Sequence, residues 1–327
     1  MLKLNNGRTL YYGKGDVLTY RTYATPLEVA SIPESSYIGN HNVLFNHNIQ
    51  FSVSGETLLT SFTEGDNSNV VATDSMKNFI LRNTANYQGS TTEGLLSMLA
   101  KEFFARYSHI DQIQLSGHRI PFETLQVAGA VGMTDSPLVY RRSHNDHASA
   151  SMTWVRGSAE EPQIVESESG VTDLQLIKVS GSSFYGFVRD EYTTLPESYN
   201  RPLFIFLDIF WTYEEEEHAT DGGLGRYVAA EQVRDITHNV FHEFNSPSIQ
   251  FLIYQVGLRI LTRFPQLSSV RFESNNRTWE TIVELEDGSQ AGVFTEPRPP
   301  YGFQGFTMTQ ADVVEASVSA TKVESSV

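Results

Sequence analysis

Cysteine is absent from all 327 residues. That absence excludes disulfides, thiolate-bound metals and iron–sulfur clusters together, and it fits a reducing, cytoplasmic setting. No run of about 18 apolar residues occurs, so no membrane-spanning helix is expected. Residues 1–6 lack the apolar stretch of a signal peptide. The final Glu324-Ser325-Ser326-Val327 is not a Ser-Lys-Leu peroxisomal address. Positive charge is scarce: 23 Lys and Arg face 39 Asp and Glu, a net charge of -16. A field of that sign disfavours nucleic acid and anionic membrane surfaces as partners. An anionic small molecule stays possible, because one local Arg outweighs a diffuse field screened over about 8 Å. A Gly-rich phosphate loop and a dinucleotide-binding fingerprint are also missing. What is present is a 40% hydrophobic content, enough for a sizeable core and too high for disorder.

The hydrophobic pattern repeats itself once along the chain. Residues 10–23 and 42–53 read as strands, rich in Tyr, Val, Phe and Thr. Two helical stretches follow, the second opening on Ser90-Thr91-Thr92-Glu93 as a capping box and carrying Leu95, Leu96, Leu99 and Phe103 on one face. Strands near 110–123 and 136–156 complete the first half. In the second half, residues 173–188 and 203–213 read as strands, the latter apolar enough to be buried. Val233, Ile236, Val240 and Phe244 then share one helix face. Ser246 is read as the cap of a further helix, with Pro247 in its first turn. That helix carries Ile249, Ile253, Val256 and Ile260 and stops before Pro265. Strands near 268–275, 280–285 and 302–309 close the half. Strand pairs alternating with helix pairs imply an α+β fold with antiparallel sheets and helices on one face. A sheet covered on one side must bury the other or curl and close, so oligomerisation is expected. The expected divisions are 8–157, 158–312 and a loose tail at 313–327.

Four segments carry chemistry. They are Tyr12-Gly13-Lys14 with Val17; Gly65-Asp66-Asn67-Ser68-Asn69-Val70-Val71-Ala72-Thr73-Asp74-Ser75-Met76-Lys77-Asn78; Ser183-Phe184-Tyr185-Gly186-Phe187-Val188-Arg189-Asp190-Glu191-Tyr192-Thr193-Thr194-Leu195 with Arg201 beyond; and Ser246-Pro247-Ser248-Ile249-Gln250. Together they resemble the urate oxidase (uricase) family, over about residues 12–302. The resemblance implies two tandem tunnelling-fold domains that close into a barrel on oligomerisation. It also implies oxidation of urate by dioxygen and water to 5-hydroxyisourate and hydrogen peroxide, without metal, flavin or other cofactor. The assembly would be a homotetramer with active sites between subunits.

Lys14 alone reads as a surface lysine; its functional reading needs a partly buried amine able to accept a proton. The resemblance pairs it with Thr73. On its own Thr73 reads as a helix cap, and so does Asp74. A helix start also favours negative charge, so a Lys–Thr pair there is suited to relay protons between a bound acid and dioxygen. The resemblance makes Phe184 the stacking surface for a purine, Arg201 a fork of donors to its carbonyl edge, and Gln250 an amide that reads the opposite edge. Ile249 would contribute its backbone N–H, Asp74 would join Thr73 in binding, and Leu195 would wall the pocket. Asn276 would hold dioxygen or water above the ring, although Asn275-Asn276 reads equally as a turn. Here the chain departs from the family: Thr278 stands where relatives carry a histidine. A hydroxyl is a far poorer base than an imidazole.

His144-Asn145-Asp146-His147 places two histidines and an aspartate within four residues. On a strand the two rings would point to opposite sides, so a polar loop without metal is the favoured reading. Glu214 to Glu217 reads as a solvated acidic run. Two alternatives stay open: a metal-dependent tunnelling-fold pterin or purine hydrolase using His144 and His147, and a purine-binding relative without chemistry.

Overall fold

A computed structural model describes residues 3–4, 6–157, 161–277, 281–284, 292–294 and 299–324. The chain forms two compact units: Met1–Gly170 with Thr212–Glu231, and Val171–Trp211 with Gln232–Val327. The sequence reading puts its divide at 157/158. The strand that follows, Pro162–Phe184, enters the second unit at Val171.

In the first unit, β1 (Tyr12–Thr22) pairs antiparallel with β2 (Leu44–Ser54). The helices α1 (Thr73–Thr84) and α2 (Thr92–Arg106) follow. Next come β3 (Gln112–Arg119), β4 (Phe122–Gly129), β5 (Gly132–Arg142) and β6 (His147–Arg156). The sheet order is β1-β2-β3-β6, then β7 (Pro162–Phe184), while β4 and β5 form a separate hairpin. Strand alternation explains the layering. Phe45, Ile49, Phe51 and Val53 of β2, with Ile113 and Leu115 of β3, are buried together with Met76, Ile80, Leu95, Leu96, Leu99 and Phe103 of the helices. Truncating such a side chain, Phe103 for example, costs about 3–5 kcal/mol.

The expected capping box takes a different form. Thr91 is the N-cap of α2, its Oγ1 accepting from the Gly94 N–H at 3.1 Å. Glu93 turns into the core instead of back to the helix start. Its carboxylate accepts from Ser169 Oγ at 2.5 Å and from the Tyr227 hydroxyl at 3.1 Å. Burial pushes its pKa up to about 7 against those two hydrogen bonds. Nearby, His47 Nε2 meets Thr92 Oγ1 at 3.0 Å, and burial, then the Arg119 charge, pushes the His47 pKa down to about 3.

The second unit continues β7 and adds β8 (Ser198–Tyr213), α3 (Ala230–Glu243), α4 (Ile249–Arg263), β9 (Leu267–Arg277), β10 (Tyr301–Thr309) and α5 (Gln310–Glu324), with sheet order β7-β8-β9-β10. Residues 203–213 of β8 were expected to be buried. They alternate instead: Leu203, Ile205, Leu207, Ile209 and Trp211 are buried, and the residues between them are half-buried. Val233, Ile236 and Val240 of α3 and Leu252, Ile253, Val256 and Ile260 of α4 are buried as well. Residues 310–324 are helical where a loose tail was expected. The carboxylate of Asp312 reaches back to accept from the Thr309 N–H at 2.8 Å, a reciprocal helix-start bond that the small polar composition did not reveal. Among the described residues, no helix is long and apolar enough to cross a membrane.

Candidate active site

The expected residues fall into two sets, one built within each unit. In the first unit, β1 brings Lys14 to the sheet edge through a glycine and a bulge. A Cβ on Gly13 would lie 1.9 Å from the Phe51 carbonyl oxygen, so only glycine permits this approach of the strands. The register then shifts between Lys14 and Val17. Asp16 takes a positive φ of 54° there, and its carboxylate accepts from Asn48 Nδ2 at 3.0 Å. Bulges of this kind re-aim a side chain, and Lys14 is half-buried beside this one.

The hydroxyl of Tyr12 accepts from the Val71 N–H at 2.9 Å, tying β1 to the loop that leads into α1. Burial raises the Tyr12 pKa, which keeps the phenol neutral. Helix α1 begins at Thr73, with Ala72 at the N-cap position and no side chain capping the end. The expectation that Thr73 or Asp74 caps the helix is therefore corrected: both lie within the first turn, and the Thr73 hydroxyl is not consumed by a cap. Asp74 is held by Lys77 Nζ at 2.5 Å and Asn78 Nδ2 at 3.0 Å. The Lys77 bond and charge hold its carboxyl below the usual carboxylate range, with a smaller contribution from the Lys14 charge. The Lys14 charge thus reaches Asp74, next to Thr73 in the first turn of α1, an arrangement suited to an anion and to proton transfer.

In the second unit, the ring of Phe184 is half-buried and stacks on Phe187, with centroids 4.9 Å apart and planes 12° apart. The Arg201 guanidinium lies 5.3 Å from the Phe184 centroid. Its Nε is buried without a hydrogen-bond partner, and desolvation lowers its pKa. Helix α4 starts two residues later than expected. Ser248, not Ser246, is the N-cap, its Oγ accepting from the Phe251 N–H at 3.1 Å. Ser246 bonds to β7 instead, its carbonyl accepting from the Ser183 N–H at 2.9 Å. That bond brings the start of α4, with buried Ile249 and exposed Gln250, beside the strand end carrying Phe184.

Two expected residues are not drawn onto Phe184 by any described contact. Leu195 is 44% exposed and follows a turn in which the Thr193 N–H donates to the Asp190 carbonyl at 3.1 Å. Asn276 lies on β9 opposite Gly302, where a Cβ would come within 2.8 Å of its Oδ1. It belongs to a strand, not to the turn that Asn275-Asn276 also suggested. Thr278 lies outside the described residues. Tyr12 was quoted only as part of a motif; its tie to Val71 needed the tertiary structure.

In the histidine-rich stretch, residues 143–146 form the loop between β5 and β6, and His147 is the first residue of β6. His144 Nδ1 meets the Asp146 carbonyl oxygen at 2.6 Å, and His147 Nε2 meets His118 Nδ1 at 3.1 Å. No group of three or more metal-ligating side chains is arranged to hold a metal ion among the described residues. The acidic run is not wholly solvated, for Glu216 is half-buried and burial raises its pKa. It lines a cleft of about 450 Å³ with Gln114, Thr153, Glu166 and Glu168, a lining that repels an anion.

The Uricase family model matches residues 20–153 and 167–304. The chain is 54% identical to the "Uric acid degradation bifunctional protein" of Bacillus sp. (strain TB-90), over 95% of this chain and 62% of that protein's length. The chain thus spans less than two thirds of that relative. It is 51% identical to a "Uricase" of Haloferax volcanii, over 93% of this chain and 99% of the relative. A crystal structure of Bacillus sp. TB-90 urate oxidase superposes with a TM-score of 0.89 at 55% identity, covering 92% of this chain and 100% of that one.

Proposed function

The chain belongs to the uricase family, and on that premise we propose that it oxidises urate with dioxygen and water to 5-hydroxyisourate and hydrogen peroxide. The observation that carries this reading is the Arg201–Phe184 pair. A guanidinium with a buried, unpartnered Nε beside an aromatic face suits a flat anionic heterocycle. Urate stacks on Phe184, its carbonyl edge accepts from Arg201, and Gln250 with the Ile249 N–H reads the opposite edge. Leu195 walls the pocket, and Asn276 holds dioxygen or water over the ring.

Lys14 and Thr73 take the proton from bound urate. The resulting dianion is electron-rich enough to pass two electrons to dioxygen directly. Two protons complete hydrogen peroxide, and water adds its hydroxyl to the oxidised purine. The protein binds, deprotonates and excludes competing reactions. This reading assigns no metal or flavin a role, and it places the protein in the cytoplasm. Thr278 is at most an orienting hydroxyl.

The two sets of residues lie in different units of the chain. By the family likeness, this reading gives Lys14, Thr73 and Asp74 to one subunit and the Phe184, Arg201 and Gln250 set to its neighbour, in a homotetramer closed into a barrel. The test is urate mixed with chelator-treated protein in air, followed by ultraviolet absorbance and peroxide. Absorbance loss with one peroxide per urate supports the reading. Activity that returns only with one added metal favours a metal-dependent hydrolase, and tight binding without turnover favours a non-catalytic relative.

A further inference from the structure

Three elements carry the substrate-binding set: β7 holds Phe184, β8 holds Arg201, and the first turn of α4 holds Ile249 and Gln250. Their mutual spacing rests on bonds that converge on Gly181. Its N–H donates to Asn200 Oδ1 at 2.7 Å, one residue before Arg201. Its carbonyl accepts from the Ser246 N–H at 3.3 Å, and the Ser246 carbonyl accepts from Ser183, one residue before Phe184. Gly181 adopts a φ of +80°, where an L residue is strained. A Cβ there would lie 3.2 Å from Cε of Lys178. The Lys178 ammonium passes this point to donate to the carbonyls of Phe241, at 2.7 Å, and Phe244, at the C-terminal end of α3. A cation is favoured there by the unpaired carbonyls. The α3–α4 connection is thus fastened to β7 both before Ser246 and at Ser246 itself.

We propose that Asn200 is a positioning residue for substrate binding: by holding the Gly181 amide, its side-chain carbonyl sets where the Arg201 guanidinium lies relative to the Phe184 ring and the first turn of α4. The proposal rests on the urate-site reading above. Asn200 is exposed, so the core does not depend on its side chain. Losing the bond leaves the Gly181 N–H to find another acceptor and lets three substrate-contacting groups drift apart. A displacement well under 1 Å is enough to weaken edge recognition.

The experiment compares steady-state kinetics of the full-length protein with urate for Asn200→Ala, Asn200→Asp and Arg201→Ala. Asn200→Ala is expected to raise KM about five- to tenfold, the worth of one hydrogen bond, while kcat falls less than about twofold. Asn200→Asp keeps an acceptor oxygen and should restore KM to within about twofold of the parent. The thermal midpoint should shift by less than about 2 °C in both. Asn200→Ser, too short to reach Gly181, should reproduce the alanine result and serves if the alanine protein fails to fold. An unchanged KM in Asn200→Ala, or a KM in Asn200→Asp raised as far as in the alanine variant, overturns the proposal. If KM is unchanged in Arg201→Ala, the site reading itself fails and takes the proposal with it. Raised KM in Arg201→Ala with unaltered Asn200→Ala overturns the positioning role alone.

Discussion

The guanidinium of Arg201 stands 5.3 Å from the ring centroid of Phe184, with its Nε buried and without a hydrogen-bond partner. A desolvated donor left unmet is costly, and desolvation already lowers the Arg201 pKa. An anionic purine lying on the ring would restore a partner to that donor. On the proposed function, the pair would meet urate in shape, charge and hydrogen bonding at once.

Removing the donor should weaken binding. A hydrogen bond to a charged group contributes about 1.5–3 kcal/mol, so Arg201→Ala should raise the urate KM by roughly one to two orders of magnitude. Gln250→Leu should also weaken urate, because a polar purine edge would then face methyl groups. Xanthine lacks one urate carbonyl and should bind weakly and resist oxidation. Competition and turnover assays with both purines check this. Equal turnover of xanthine contradicts the described pocket.

The proposed division of the site between subunits predicts complementation. At urate concentrations well below the raised KM of Arg201→Ala, Lys14→Ala and Arg201→Ala proteins should each turn over little urate alone. After joint dissociation and reassembly, some sites would combine an intact Lys14 side with an intact Arg201 side. Urate turnover in verified mixed oligomers checks this, and its complete absence contradicts a shared site.

Glu93 predicts a pH dependence of stability. Its folded pKa, about 7, lies above the ordinary 4.5, so the fold favours the protonated form. Its contribution is fully present below about pH 4.5 and is lost as pH rises through about 7. Glu93→Gln keeps the hydrogen-bonding shape toward Ser169 and Tyr227 without the charge. The variant's thermal midpoint should gain on the parent's as pH rises from 4.5 to 8. His47, buried and depressed to about 3, contributes stability above about pH 6.5 that is lost as pH falls toward 3, so the difference between the two proteins isolates Glu93. A constant difference across that range contradicts the assignment.

The particular errors show where sequence stops being informative. Helix faces such as Leu95, Leu96, Leu99 and Phe103 were legible because a 3.6-residue period is a local property. The first turn of α2 was misread because Thr and Glu near a helix start look alike whether the carboxylate bends back or turns inward. The choice was made by Ser169 and Tyr227, far along the chain. Ser246 has cap-like neighbours, yet its backbone is taken by β7 and Ser248 caps instead. Lys14, Thr73, Phe184, Arg201 and Gln250 could be named from family likeness alone. The ties that place them, Tyr12 to Val71 and Asn200 to Gly181, link distant segments.

Thr278 tests the departure from the family. If Lys14 and Thr73 run the proton relay, Thr278→Val should lower kcat far less than loss of the Lys14 amine. The double variant should resemble the Lys14 variant alone. A loss of turnover as large as for Lys14, with urate affinity intact, assigns Thr278 a chemical role.

The central claim is that Lys14 moves protons while the Arg201–Phe184 side holds the substrate. The most direct measurement is single-turnover and steady-state kinetics of Lys14→Met with urate under air, alongside urate affinity by equilibrium binding. The account predicts a fall in kcat of about 10²–10⁴-fold, the usual worth of a general acid–base group, with urate affinity changed only a few-fold. Near-parental turnover in Lys14→Met, or a loss wholly explained by weakened urate binding, would contradict it.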